Sequence, residues 1–174
     1  GRGPGEFAVQ IQRVASGDDR AELATDKLVL ALPAYAAAEL AEPHDAELAR
    51  LLRAIRYASA VVVHAALPLH AVGSSAHGFG FLTARAGVDP GELPRCLGCV
   101  IESSVWPGRA PSGHVLFRLI YGGVWDPEIL DVPDAALADI VADDLGRAFS
   151  ATQVPRVLRI VRHKNAIPQY ELGH

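Results

Sequence analysis

The strands that the sequence pattern predicts are grouped along the chain and do not alternate strictly with helices. The longest is Tyr57–Leu67, a valine-rich run with a period near two. Three more predicted strands follow without an intervening helix, at Phe79–Thr83, Leu97–Ser104 and His114–Tyr121, separated by loops rich in glycine and proline. Such grouping is typical of an α+β fold. We therefore expect a mixed, mostly antiparallel sheet flanked by helices.

The first forty residues have a pattern of their own. Phe7–Val14 alternates apolar and polar side chains and predicts a half-buried strand, and Ala21–Ala24 predicts a second strand. Between them, Ser16–Asp19 has the composition of a tight turn. Leu28–Leu32 is continuously apolar and stops at Pro33, which predicts a strand buried on both faces. These segments together predict a small meander that leads into one buried strand.

Three segments have helical character. Ala34–Leu40 is rich in alanine, and Asp45–Arg56 has apolar residues at three- and four-residue spacing, with Asp45 at the position of an N-cap. The apolar residues on that face are Leu48, Leu51, Leu52 and Ile55. Asp134–Phe149 is a second amphipathic helix, and Arg156–Arg162 predicts the last strand.

Composition excludes several classes of protein. The 174 residues are 50% hydrophobic and 21% charged, as in globular domains and unlike disordered or collagen-like chains. The net charge is −4 and no run of basic residues occurs, so nucleic acid is not an expected partner. The apolar runs are too short to span a bilayer, and no secretory signal opens the sequence, which predicts a cytoplasmic protein. The absence of methionine suggests a processed or excised piece.

Most chemistry-bearing motifs favour ordinary structural roles. Cys96-x-x-Cys99 enters a predicted strand instead of a helix N-terminus and has no second ligand pair, so two small buried side chains are expected instead of a redox or zinc site. The seven histidines form no i,i+4 pair of the kind found in metalloproteases. The adjacent acids Asp143 and Asp144 are expected on a solvated helix face.

No glycine pattern in the sequence matches a dinucleotide-binding fingerprint. Gly1-x-Gly3 continues to Glu6 and Gly78-x-Gly80 continues to Thr83, where the third glycine would be required. From composition and spacing alone, the prediction ends at an α+β domain without an assigned function.

Several short motifs, taken in order, resemble a known family. They are Gly78–Leu82 (GFGFL), Leu97–Val100 (LGCV), Trp106–Pro111 (WPGRAP), Tyr121–Gly123 (YGG) and the closing Ala166–Tyr170 (AIPQY) with Gly173-His174. Thr25–Ala34 resembles that family's buried strand near the flavin. Together they are similar to the second half of FAD-dependent protoporphyrinogen oxidases, which belong to the amine-oxidase-like flavoproteins. The likeness covers nearly the whole chain, and the closing motif is the most specific.

The resemblance implies a function in heme biosynthesis. Enzymes of this family oxidise protoporphyrinogen IX to protoporphyrin IX with FAD and O2 and release hydrogen peroxide. By this likeness, residues 1–43 belong to the FAD domain and residues 44–174 to the substrate-binding domain, a sheet with helices that roofs the flavin. The family's glycine fingerprint, flavin-contacting C-terminal segment and membrane-associated helical region have no counterpart in this sequence. The chain by itself is therefore expected to be inactive and not to hold FAD.

The same resemblance places substrate-binding residues but no catalytic acid or base and no metal ligand. Leu82, Val100 and Ile120 match apolar pocket positions, and Gly80 would let the backbone approach the edge of the macrocycle. Arg118 shares a strand face with Ile120 and could reach a propionate. The alternatives are three ordinary core residues and an arginine that is solvated or paired with a neighbouring acid.

Other functions remain open at this point. A close alternative is a coproporphyrinogen III oxidase, and a more distant one is another amine-oxidase-like flavoenzyme such as an amine oxidase or carotenoid desaturase. Amine oxidases surround their substrate with aromatic side chains, whereas aromatic residues make up only 6% of this chain. A non-catalytic tetrapyrrole-binding module is a further alternative. The expected partners are a porphyrinogen and the FAD-binding domain of the same parent chain, with possible peripheral contact to the inner membrane face only through the missing region.

Overall fold

The computed structural model describes residues 7–12, 20–74, 76–84 and 90–172. The chain divides into two units, Gly1–Ile55 and Arg56–His174. The division falls after the second helix, whereas the sequence-based boundary at 43/44 falls before it. Whether the first unit belongs to an FAD domain stays a prediction.

In the first unit, two antiparallel strands precede two short helices. Strands β1 (Phe7–Gln12) and β2 (Arg20–Thr25) pair as the alternation predicts. The predicted turn at 16–19 lies outside the described residues. Helices α1 (Ala34–Ala41) and α2 (Ala46–Ala54) pack through small alanine side chains and Leu52. A carboxylate oxygen of Asp45 accepts a hydrogen bond from the backbone N–H of Leu48 at 2.9 Å, so the predicted N-cap is confirmed.

The strand predicted at Leu28–Leu32 is wrong. This run has no regular secondary structure, and its leucine and valine side chains are exposed. A strand needs a hydrogen-bonded neighbour, and the first unit's only described sheet is the β1–β2 pair. Leu48 and Leu51, on the predicted apolar face of α2, are also about half exposed.

The second unit is built on a five-stranded sheet in the order β4-β5-β6-β3-β7. Its strands are β3 (Tyr57–Pro68), β4 (Gly80–Leu82), β5 (Gly98–Ile101), β6 (His114–Gly122) and β7 (Arg156–Pro168). All the described strand pairs are antiparallel, and the predicted α+β class is confirmed. The valine-rich strand β3 lies between β6 and β7, and β6 is the central strand.

One face of this sheet is covered by helix α4 (Asp134–Phe149), whose bounds match the sequence prediction. Alternate residues of β3 and β6 point toward the helix and are buried with it. The main members of this core are Val61, Val63, Phe117, Leu119, Leu137, Val141 and Leu145. Phe149, at the end of α4, lies against Phe117 with ring centroids 5.0 Å apart. The opposite side of the sheet is called the open face below.

Two predicted strand ends differ from the structure. The strand predicted at Leu97–Ser104 stops at Ile101, because the chain turns into a four-residue helix, α3 (Glu102–Val105). The last strand continues past the predicted end at Arg162 to Pro168, with Asn165 in a left-handed conformation. None of the helices in the described part of the chain is both long and apolar enough to cross a membrane.

Candidate functional site

The open face presents two adjacent rows of residues that run across all five strands. Residues directly opposite each other in antiparallel strands point to the same side, and so do residues two apart on one strand. The apolar row consists of Leu82, Gly98, Ile120, Val62 and Val161, in strand order. The charged row consists of Gly80, Val100, Arg118, His64 and Arg159. A flat apolar surface therefore lies directly beside a line that carries three nitrogen-bearing side chains.

The structure brings all five sequence-predicted site residues together on the open face. Leu82 and Ile120 belong to the apolar row, and Gly80, Val100 and Arg118 belong to the charged row. Leu82 is 87% exposed, while Val100 and Ile120 are half-buried. None of the three apolar positions belongs to the core beneath α4. Their role in substrate binding stays a prediction.

Two glycines bring the edge strand close to its neighbour. Gly80 has a φ of +142°, and a Cβ there would lie 1.9 Å from the carbonyl oxygen of Cys99. A Cβ on Gly98 would lie 2.8 Å from Cδ2 of Leu82, so the Leu82 side chain leans over Gly98 within the apolar row. The close approach that Gly80 permits in this structure is therefore to strand β5.

A buried carboxylate lies under the charged row. Glu102 is only 3% exposed, and its two carboxylate oxygens lie 3.6 Å from Nδ1 of His64 and 3.4 Å from Nε of Arg118. The guanidinium of Arg118 also lies 6.0 Å from the ring centroid of Trp106, within cation–π range. Arg118 is thus paired with an acid, which was one of the two alternatives to a propionate-binding role.

The sequence did not predict this cluster, because its members come from different segments that only strand pairing brings together. Glu102 lies two residues after Val100, so alternation directs it to the open-face side, and α3 begins at this residue. Trp106 was noted only as part of a family motif, and His64 only as one scattered histidine. No local spacing in the sequence connects these residues.

Asp144 corrects a second expectation from the sequence. It is 1% exposed and not solvated, and its two carboxylate oxygens accept hydrogen bonds from the backbone N–H groups of Arg95 (2.7 Å) and Cys96 (2.9 Å). Burial raises the pKa of Asp144, and the two backbone hydrogen bonds partly oppose that shift. Its neighbour Asp143 is exposed and pairs with Arg147, as expected of a solvated acid. The helix periodicity turns Asp144, one residue on, toward the core.

The Cys96-x-x-Cys99 motif is part of the same buried region. Both thiols are free and buried, in agreement with the expected structural role. Burial, reinforced by the negative charge of Asp144, raises the pKa of Cys96 to about 12, and burial raises that of Cys99 as well. Such thiols lack the thiolate that redox chemistry requires. In the described residues no three His, Cys, Asp or Glu side chains come together as a metal site.

Two surface cavities lie beside α4. One, of about 500 Å³, is lined by residues that include Phe81 and Phe149, and it reaches the β4 end of the two rows at Gly80 and Leu82. The other, of about 560 Å³, is lined by residues that include Trp125, Asp126 and Asp139. Neither is lined by Val100, Arg118 or Ile120. The open face is thus a surface onto which a flat ligand could lie and not an enclosed cavity.

The one glycine pair in the described residues that resembles a nucleotide-binding loop, Gly78-x-Gly80, does not fit the pyrophosphate of FAD. The Gly78-x-Gly80 segment leads into edge strand β4 and not into a helix N-terminus. The space beside Gly80 is filled by the backbone of β5. We therefore assign no pyrophosphate contact to this segment.

Comparison with known proteins gives one consistent family. The family model for "Flavin containing amine oxidoreductase" matches residues 5–172. Protoporphyrinogen oxidase 1 of Spinacia oleracea is 33% identical over 90% of this chain, and protoporphyrinogen oxidase of Homo sapiens is 33% identical over 87%. The chain spans only 28% and 31% of those two proteins.

Two further matches add detail. Coproporphyrinogen III oxidase of Bacillus subtilis is 32% identical over 44% of this chain and 16% of its own length. A crystal structure of an Exiguobacterium sp. 255-15 protein superposes on the whole chain with a TM-score of 0.68 at 21% identity, and 35% of that protein is covered. That likeness supports the fold alone.

Proposed function

Because this chain belongs to the family of flavin-containing amine oxidoreductases, we propose that it is the substrate-binding portion of a protoporphyrinogen oxidase. The parent would convert protoporphyrinogen IX to protoporphyrin IX with FAD and O2, a step of heme biosynthesis. The observation that carries this proposal is the pair of rows on the open face. An apolar row beside a charged row suits a planar, apolar macrocycle that carries carboxylates along one edge.

In this proposal the chain binds and orients the substrate. The flavin, held by another part of the parent, supplies the redox chemistry when bound. Leu82 and Ile120 cover one face of the macrocycle and exclude water from it, and Arg118 with Arg159 faces the carboxylates. The FAD-binding part of the parent is the expected partner. The isolated chain is expected to have no turnover, and its cytoplasmic location stays a prediction.

Coproporphyrinogen III is a second candidate substrate for the same surface. Two observations favour it: the Bacillus subtilis match and the arginines of the charged row. Coproporphyrinogen carries four carboxylates where protoporphyrinogen carries two, so additional cationic partners would be useful. The same open face would serve both substrates.

The proposal is tested by titrating this chain with protoporphyrin IX and following the porphyrin absorbance. We expect saturable binding that Leu82→Glu weakens about tenfold or more, since a ligand on the open face would bury this leucine, worth about 1.5–3 kcal/mol. The control is Val154→Glu, because Val154 is 84% exposed, similar to Leu82, but lies outside both rows.

Three outcomes decide the proposal. Saturable binding that only Leu82→Glu weakens supports it. Absence of saturable binding by the wild-type chain contradicts it. Equal weakening by Leu82→Glu and Val154→Glu contradicts the open face as the binding surface.

A further inference from the structure

The positive charges of the charged row are partly offset by a buried carboxylate, and the proposed function does not require this offset. Arg118 and Arg159 contribute two positive charges to the open face, and the buried Glu102 lies against one of them. Glu102 thereby offsets one of the two arginine charges. The remaining charge is that of Arg159, whose side chain is exposed, so its interaction with a ligand carboxylate is screened by water and salt.

The pair also has a defined geometry. Glu102 belongs to α3 and Trp106 follows that helix directly. A carboxylate oxygen of Glu102 lies 3.4 Å from Nε of Arg118, and the Trp106 ring centroid lies 6.0 Å from its guanidinium carbon. Glu102 itself is buried, whereas about a third of the Arg118 side chain is exposed. Within the described residues Nε of Arg118 is buried and forms no hydrogen bond, so a ligand carboxylate would have to meet the exposed part of the guanidinium.

We propose that the Glu102–Arg118 pair determines how many ligand carboxylates the open face prefers. This inference rests on the proposed function. With Glu102 ionised, the row offers a small net positive charge, which suits a dicarboxylate. Removal of the Glu102 charge would raise the positive potential of the row and favour a tetracarboxylate. Removal of the Arg118 charge would shift the preference the other way.

The test compares protoporphyrin IX, a dicarboxylate, with coproporphyrin III, a tetracarboxylate, in one detergent-containing buffer. The measured quantity is the ratio of their dissociation constants for each variant. Glu102→Gln is expected to shift the ratio about fivefold toward coproporphyrin, the size expected for one unit charge about 4 Å from a carboxylate in a largely aqueous setting. Arg118→Gln is expected to shift it toward protoporphyrin by a similar factor, and both shifts should shrink in high salt.

Matched controls come from the exposed Glu47–Arg50 pair of α2, which lies outside the two rows. Glu47→Gln and Arg50→Gln are expected to leave the ratio unchanged. A purely structural role for Glu102 would weaken both porphyrins equally and leave the ratio unchanged, which overturns the inference. If circular dichroism shows that Glu102→Gln does not fold, Arg118→Gln tests the inference alone. An unshifted ratio of dissociation constants in Arg118→Gln then overturns the inference.

The outcomes also separate this inference from the proposed function. If the wild-type chain binds neither porphyrin, both are contradicted. If protoporphyrin binds and Leu82→Glu weakens it, but neither charge variant moves the ratio, only the inference fails.

Discussion

Asp144 offers a direct test of how the core of the second unit is held together. In the wild-type chain each carboxylate oxygen accepts one backbone N–H, from Arg95 and from Cys96. In Asp144→Asn one side-chain oxygen remains as an acceptor for one of these N–H groups, and the amide NH2 faces the other N–H group. A buried donor without an acceptor costs about 1–3 kcal/mol, and the lost charged hydrogen bond about 1.5–3 kcal/mol.

The net effect is smaller than the sum of these two costs, because asparagine removes the cost of burying a charge. We expect the free energy of unfolding to fall by about 2–4 kcal/mol at neutral pH. For a chain of this size, about 3 kcal/mol corresponds to a decrease in Tm of roughly 6–12 °C. Urea unfolding followed by far-ultraviolet circular dichroism measures the first quantity, and thermal unfolding measures the second.

The neighbouring residue supplies a control of identical chemistry. Asp143 is exposed and forms an i,i+4 pair with Arg147 at 2.7 Å, so Asp143→Asn should change the free energy of unfolding by no more than about 0.5 kcal/mol. Equal losses for the two variants would refute the argument, because they would show that burial and the two backbone hydrogen bonds make no difference.

Two other predictions follow from the same region. Burial raises the pKa of Asp144 in the folded state, so its contribution to stability is complete below the ordinary aspartate pKa of 3.8 and declines as the pH rises. The stability advantage of the wild type over Asp144→Asn should therefore be larger near pH 4 than near pH 7, and an advantage that grows with pH would contradict the shift. Cys96 and Cys99 should react with a thiol reagent at pH 8 only after denaturation, because burial raises the pKa of both; rapid labelling of the native chain would contradict this.

Strong local periodicity predicted most of the sheet and the helix that covers it. The valine-rich strand β3 and helix α4 carry enough apolar residues at their own periods for their existence and type to be predicted. The run Leu28–Leu32 shows the limit of this reasoning. An apolar run indicates that burial is favourable, but a strand also requires a neighbouring strand, and spacing within the run carries no information about that neighbour.

The two adjacent acids show a similar limit. Asp143 and Asp144 look alike in the sequence, because a pair of acids on an amphipathic helix is usually solvated. Whether one of them faces inward depends on a polar backbone segment elsewhere that needs an acceptor. Here the segment is Arg95–Cys96, about fifty positions earlier in the chain, and its N–H groups make a buried carboxylate favourable.

The candidate site also has a part that the sequence predicts and a part that it does not. The period of two predicts that Arg118 and Ile120 share a face, and the family likeness adds Leu82 and Val100, but neither predicts which acid would lie beside Arg118. The answer depends on how the strands pair. Glu102 lies two residues after Val100, on the open-face side, and the pairing of β5 with β6 and of β6 with β3 brings its carboxylate to Arg118 and His64. The charge that the open face presents to a ligand therefore depends on strand pairing, and the Glu102→Gln and Arg118→Gln comparison measures its effect.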